Sequence, residues 1–170
     1  LRGSRLPVSD GDHHRDRWTV RAGEHYNFST TWFASYKAIP PPLDISSRIQ
    51  ATHERSSQWA SRCTYEGPYR AEVIRSLLTL RLLTDTRRGG IVAAATTSLP
   101  EDFGGVRNWD YRYCWLRDAS LTLEALLKSG YVGATKLWRD WLVRAIAGDP
   151  EDMQIMYAVD GGRDLPEREL

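Results

Sequence analysis

Three consecutive prolines, Pro40-Pro41-Pro42, divide this sequence more sharply than any other feature. Proline lacks a backbone N–H and fixes φ, so the run from Ile39 to Leu43 blocks strand pairing and acts as a stiff linker. The two sides of it carry different periods. Before it, Arg17-Trp18-Thr19-Val20-Arg21 alternates polar and apolar, Ala22-Gly23-Glu24 supplies a turn, and Tyr26-Asn27-Phe28-Ser29 alternates again toward Trp32-Phe33. That is the pattern of an antiparallel hairpin. The residues ahead of it, through Gly11-Asp12-His13-His14, are polar and aperiodic and are expected to fray. A lone hairpin is marginal in water, so residues 1–43 are expected to be the last strands of a β domain.

After the prolines the signal turns helical. Asp44 is placed to cap a helix running to about Cys63, with Ile45, Ile49, Thr52 and Trp59 roughly on one stripe. Gly67-Pro68 interrupts, and Pro68 suits the first turn of a second helix. In that helix Val73, Ile74, Leu77, Leu78, Leu80, Leu82 and Leu83 are apolar, which predicts burial on more than one side. Ile91 to Pro100 is small and β-branched and is expected to be extended. A third helix is predicted from about Leu116 to Ser129 with Gly130 as its C-cap, and a fourth over Val132 to Ala147, stopped by Gly148-Asp149-Pro150. Met153 to Val159 is a short apolar stretch and Asp160-Gly161-Gly162-Arg163 a turn. The fold class is therefore mixed and mostly α, with short-looped consecutive helices of the kind that build bundles and toroids.

Composition narrows the partners. The 170 residues are 41% hydrophobic and 26% charged with a net charge of +1, so neither nucleic acid nor an anionic membrane is expected as the main partner. No run approaches the ~20 apolar residues that cross a bilayer and no signal peptide opens the sequence, so a cytoplasmic protein is expected. Cys63 and Cys114 lie far apart and form no CxxC pair, so both are expected to be small buried residues rather than zinc ligands.

The chemistry concentrates in Asn108-Trp109-Asp110-Tyr111-Arg112-Tyr113-Cys114-Trp115-Leu116-Arg117-Asp118, just before an apolar helix. A flat Trp or Tyr offers a stacking face for a sugar ring. A carboxylate accepts from neighbouring hydroxyls, and an Arg donates to hydroxyls while fixing that carboxylate. The competing structural account is that Asp118 caps the helix and Arg117 is its surface partner.

Thr96-Thr97-Ser98-Leu99-Pro100-Glu101, Gly104-Gly105 and Asn108 through Ala119 together resemble the signature of family 15 glycoside hydrolases, the bacterial glucoamylase-like enzymes and trehalases. Cys63-Thr64-Tyr65-Glu66-Gly67 and Arg75-Ser76-Leu77 upstream, and Gln154-Ile155-Met156-Tyr157 and the turn from Arg163 to Leu170 downstream, extend the resemblance over roughly residues 16 to 170. It implies a β-sandwich, a linker helix and an (α/α)6 toroid. Residues 1–43 would hold the sandwich's C-terminal strands and Pro-rich linker, 44–88 the linker and first helices, and 89–170 the start of the catalytic toroid.

By residue-to-residue match, Arg117 and Asp118 would hold hydroxyls of the released glucose. Trp115 would pack the pocket wall, and Tyr111 would lie near the developing oxocarbenium charge. Asp110 and Arg112 are expected to be a structural ion pair, and the turn at Arg163, Asp164, Glu167 and Glu169 is a candidate pocket rim. An inverting glycosidase needs an acid and a base roughly 6.5–9.5 Å apart. The resemblance implies glutamates lying beyond Leu170 for both, so the 170 residues are expected to be a fragment with no catalytic residue of their own. Glu124, six residues past Asp118, should face away from the site. The implied substrates are α-glucans, α-glucosides or trehalose, with no metal or organic cofactor. A non-catalytic sugar-binding or regulatory protein of the same fold is the alternative.

Overall fold

A computed structural model describes residues 1–97, 102–106 and 108–165. The chain is mixed and mostly helical, and it divides into two compact units, Leu1–Arg55 and Ser56–Leu170.

In the first unit, β1 (Arg2–Gly3) pairs antiparallel with β4 (Phe28–Ser29), and β2 (Val8–Asp10) pairs antiparallel with β3 (His13–Arg15). This differs from the sequence expectation in two ways. The stretch expected to fray forms the β2–β3 hairpin, and the partner of Phe28–Ser29 is Arg2–Gly3 rather than Arg17–Arg21. The hairpin forms because Gly11 takes φ 60 at the first position of a two-residue Gly-Asp loop, which matches strand twist whether or not the flanks are apolar. Trp18, instead of sitting in a strand, is half-buried in a side-chain cluster. Its ring lies 5.9 Å from Tyr26 and 5.8 Å from Phe28, with the Arg5 guanidinium 5.0 Å above it. A small hollow of about 160 Å³ lies among Leu1, Arg2, Ser29, Thr31, Phe33, Ile39 and Pro40. Its one charged wall, Arg2, already donates to Pro40 O at 2.8 Å.

Helix α1 (Ile45–Ala60) begins where the sequence places it, because Asp44 caps it. Ser47 N donates to Asp44 Oδ1 (3.1 Å) and Ser47 Oγ to Oδ2 (2.7 Å), and these bonds hold the Asp44 carboxyl below its ordinary pKa. The helix ends at Ala60, three residues short of Cys63, and none of its residues is buried. Ile49 on the expected stripe is exposed. Trp59 instead stacks on Tyr131, with centroids 3.9 Å apart and planes at 12°, and Tyr131 Oη donates to Trp59 O.

Helix α2 (Arg70–Leu82) follows Tyr69, so Pro68 stands just outside it rather than in its first turn. Only Leu77 is buried, while Leu82 is 85% exposed. The expected burial on more than one side is not present. Val73, Ile74 and Leu77 pack with Cys63, Leu126 and Tyr131, and that contact covers one face only.

Strand β5 (Cys114–Trp115) leads directly into α3 (Leu116–Lys128), followed by α4 (Val132–Ala145), a 3-10 turn at Pro150–Asp152 and β6 (Met156–Tyr157). Helix α3 buries Ala119, Leu123 and Leu126, a spacing of four and three that makes one apolar face. It ends in a Schellman motif: Gly130 takes φ 92, Gly130 N donates to Leu127 O (3.0 Å) and Tyr131 N to Leu126 O (2.9 Å). The best-buried cluster joins Cys114, Trp141, Ala145 and Tyr157. Trp141 and Tyr157 meet edge to face at 6.1 Å, and Trp141 Nε1 donates to Val159 O at 2.9 Å. Among the described residues no helix is long and apolar enough to cross a membrane.

Candidate functional site

The aromatic and charged segment is held between two extended neighbours. On one side Ala94 N donates to Tyr111 O (2.7 Å) and Ala93 N to Tyr113 O (3.0 Å). On the other, Cys114 pairs with Tyr157 and Trp115 with Met156. Two glycines let the first neighbour in. A Cβ on Gly89, which takes φ 93, would lie 2.3 Å from Leu137 O. One on Gly90 would lie 2.5 Å from Val159 O and 3.2 Å from Cys114 Sγ. Burial pushes the Cys114 thiol up to about 12, so it packs as an inert apolar residue, as the sequence predicts; Cys63 is likewise free and buried.

The same pairing positions the start of α3. Leu116 N donates to Ile155 O at 3.1 Å, so the carbonyl just before β6 satisfies the first helical N–H. Trp115 occupies the N-cap position with extended backbone and no side-chain cap bond. Asp118 is therefore not the helix cap. It lies in the first turn, where a carboxylate is favoured by the helix dipole. Arg117 Nη2 donates to Asp118 Oδ2 at 3.1 Å, the one hydrogen-bond partner of that carboxylate among the described residues.

Tyr111 and Trp115 meet at 5.5 Å between ring centroids, and Trp115 Nε1 donates to Asp110 O at 3.0 Å, which fixes the indole. Trp109 stands almost perpendicular to Trp115, at 6.4 Å and 83°. Asp110 and Arg112 close on each other: Nη2 to Oδ2 at 2.7 Å, Nε to Oδ1 at 3.0 Å, and Arg112 N to Oδ1 at 2.9 Å. The Arg112 side chain holds the Asp110 carboxyl below its ordinary pKa.

The four residues singled out from the sequence thus form two contact pairs, Tyr111 with Trp115 and Arg117 with Asp118, adjoining at one helix start. Chemically, this sets a fixed aromatic wall beside a carboxylate whose remaining lone pairs can accept hydroxyls. Glu124 lies on the exposed side of α3, bonded to Lys128 Nζ at 2.6 Å. Arg163 donates to Ala147 O at 3.4 Å and to Asp152 O. Glu167 and Glu169, and the motif residues Ser98 to Glu101, lie outside the described residues. No group of three or more His, Cys, Asp and Glu side chains among the described residues could hold a metal ion.

Comparison with known proteins gives the family. Residues 67–170 match the model of glycosyl hydrolases family 15. The chain is 36% identical over 154 residues to a trehalase of Thermoplasma acidophilum, covering 90% of this chain and 25% of that protein. It is 40% identical over 147 residues to a trehalase of Thermoplasma volcanium (86% of this chain, 22% of that protein). A trehalase of Mycobacterium tuberculosis is 33% identical over 168 residues (95% and 24%). The chain therefore spans about a quarter of the length of these relatives. No solved structure matches it. The chain belongs to glycosyl hydrolase family 15.

Proposed function

We propose that this chain is part of an inverting glycoside hydrolase that releases glucose from trehalose, with Tyr111, Trp115, Arg117 and Asp118 holding the released glucose. The observation that carries the reading is that the family match, residues 67–170, contains the one helix start where the ring pair and the Arg–carboxylate pair adjoin. Trehalose is preferred to a longer α-glucan because the similar proteins are trehalases.

In this reading Asp118 accepts from two neighbouring sugar hydroxyls, and Arg117 orients it while donating to another. Trp115 packs against the ring, and Tyr111 lies beside the charge that develops at the anomeric carbon. The domain assignment that goes with it is residues 1–43 as the end of a β-sandwich and its linker, 44–88 as linker and first helices, and 89–170 as the start of an (α/α)6 toroid. The mostly helical order after Asp44 supports that assignment.

We assign neither acid nor base to residues 1–170. A general acid must hold its proton near neutral pH, so its pKa is raised. Among the described residues the carboxyls with displaced pKa, Asp44, Asp85, Asp110 and Glu124, are all displaced downward by hydrogen bonds. In this reading the carboxyls that protonate the leaving oxygen and activate water are two family glutamates, neither of them assigned to residues 1–170.

The test uses the complete natural gene product that contains this sequence, assayed for glucose release from trehalose, maltose and maltotriose. Trehalose hydrolysis is expected, with Asp118→Asn lowering kcat/KM by about one to two decades, the worth of a charged hydrogen bond to substrate. Because Asp118 does not cap α3 and loses only its first-turn charge, the same change should lower stability by no more than about 1 kcal/mol. Hydrolysis of maltotriose and not trehalose would reverse the substrate choice. Trehalose binding without turnover would make the protein a non-catalytic sugar binder, and normal kinetics of Asp118→Asn would remove Asp118 from the site.

A further inference from the structure

The Arg117–Asp118 pair stands on the first turn of α3, so it is only as well placed as that turn. From outside the helix the turn is held by Ile155 O, which accepts from Leu116 N at 3.1 Å and continues the pairing of Cys114 with Tyr157 and Trp115 with Met156. Ile155 itself belongs to a segment, residues 153–155, that lies in no helix or strand.

What holds that segment is a side chain. Gln154 N donates to Tyr157 Oη at 2.9 Å, which closes a loop over residues 154–157 with Ile155 inside it. The phenol is a firm partner. Tyr157 is 0% exposed, its backbone pairs with Cys114, and its ring meets Trp141 edge to face at 6.1 Å. Trp141 is anchored in turn through Nε1 to Val159 O at 2.9 Å, and Leu116 packs against the same buried cluster. Packing fixes where the ring lies. The hydroxyl adds a direction, because a hydrogen bond weakens steeply when its partners leave the line between them. A group that binds substrate works only within about 0.5 Å of its productive place, and its supports set that tolerance.

We propose that Tyr157 is a positioning residue for the glucose site. Through Gln154 N its hydroxyl fixes the Ile155 carbonyl, and through Leu116 N that carbonyl sets where Arg117 and Asp118 stand. This rests on the reading of Arg117 and Asp118 as holding the released glucose. Tyr157 itself touches no substrate.

The test is a double-mutant cycle in the complete natural gene product, with kcat/KM on trehalose as the readout. Tyr157→Phe keeps the ring and removes the acceptor of Gln154 N. Alone it lowers kcat/KM about tenfold, short of the roughly hundredfold cost of misplacing a substrate-binding group by about 1 Å. In an Asp118→Asn background the group being positioned is already impaired, and the same change costs at most about threefold. A hydroxyl that served folding alone would lower both backgrounds by one factor, since both would lose the same share of folded protein. Equal falls in the two backgrounds, or no fall in either, overturn the proposal and leave the glucose site standing. Amide hydrogen exchange of the unmutated protein is a second measurement that needs no variant to fold, and it finds Gln154 and Leu116 protected together. A Gln154 amide exchanging as fast as an unstructured one overturns the proposal whatever Tyr157→Phe does. If Asp118→Asn alone has normal kinetics, or the unmutated protein hydrolyses no trehalose, the proposed function fails and Tyr157 has no glucose site to position.

Discussion

The molecule holds two tryptophan clusters that differ in how they are finished. Around Trp18, rings of Tyr26 and Phe28 tilt against the indole and Arg5 covers it, yet Trp18 Nε1 is buried with no hydrogen-bond partner. Around Trp141, the ring is 1% exposed, meets Tyr157 edge to face, and has its Nε1 bonded to Val159 O. The first cluster is assembled from one short stretch, with strands of two or three residues near it. The second ties α4 to the strands that frame the candidate site. A ring stabilises a fold in proportion to what it covers and whether its polar edge is satisfied. On both counts the second cluster supports the site's geometry.

The comparison can be broken most decisively at Trp141. Trp141→Ala removes a fully buried indole and leaves Val159 O without its donor, and is expected to cost about 3–5 kcal/mol. Trp18→Ala removes a half-buried ring whose N–H has no partner and should cost well under half as much. Urea unfolding of the two variants in the complete natural gene product measures both. Equal losses would show that the two clusters contribute alike, and the contrast drawn from burial would be wrong.

A smaller effect separates the two ion pairs of the motif segment. Asp110 is held by four bonds from Arg112, and Asp118 by one from Arg117. The Asp110 pKa is lowered on folding, chiefly by the Arg112 side chain. Its contribution to stability is therefore present above the ordinary Asp value of 3.8 and is lost as pH falls through the lower folded value. Carboxyl NMR should find Asp110 titrating below 3.8, and Arg112→Met should return it toward that value. An unchanged midpoint in Arg112→Met would mean that the pair is not closed in solution.

What the sequence made legible was local. Asp44 as a cap, the helix starting at Leu116, and Gly130 at its end are each set by residues a few positions apart, whose chemistry acts within one turn. The Arg117–Asp118 pair was legible for the same reason, whereas Tyr111 and Trp115 were marked only by the family resemblance and not as a ring contact. The pairing of Ala93 and Ala94 with Tyr113 and Tyr111, and of Cys114 with Tyr157, joins distant segments and leaves no local mark. The β2–β3 hairpin did leave one, the Gly11-Asp12 loop, but its flanks are polar, and a reading that follows apolar alternation passes over it. The leucines of α2 misled in the opposite direction, since apolar content alone does not say which faces a neighbour covers.

Tyr69 sharpens the comparison at its smallest scale, as an aromatic residue whose backbone matters more than its ring. It is 76% exposed, and it is the one non-glycine residue at positive φ among those described, at φ 63 and ψ 29. It cannot bend away from that geometry, because its carbonyl accepts from Val73 N at 3.0 Å and so begins α2. An L residue there carries a left-handed penalty that glycine escapes, while glycine loses more chain entropy on folding. Alanine has the penalty without the ring, so comparing Tyr69→Gly with Tyr69→Ala isolates the backbone term. Tyr69→Gly is expected to be the more stable of the two by about 0.5–1 kcal/mol, with Tyr69→Ala close to the unmutated protein. Thermal melts of the three proteins measure it. If Tyr69→Gly were no more stable than Tyr69→Ala, the turn before α2 would carry no left-handed strain. If Tyr69→Ala fell well below both, the exposed ring would be making a contact that its exposure denies.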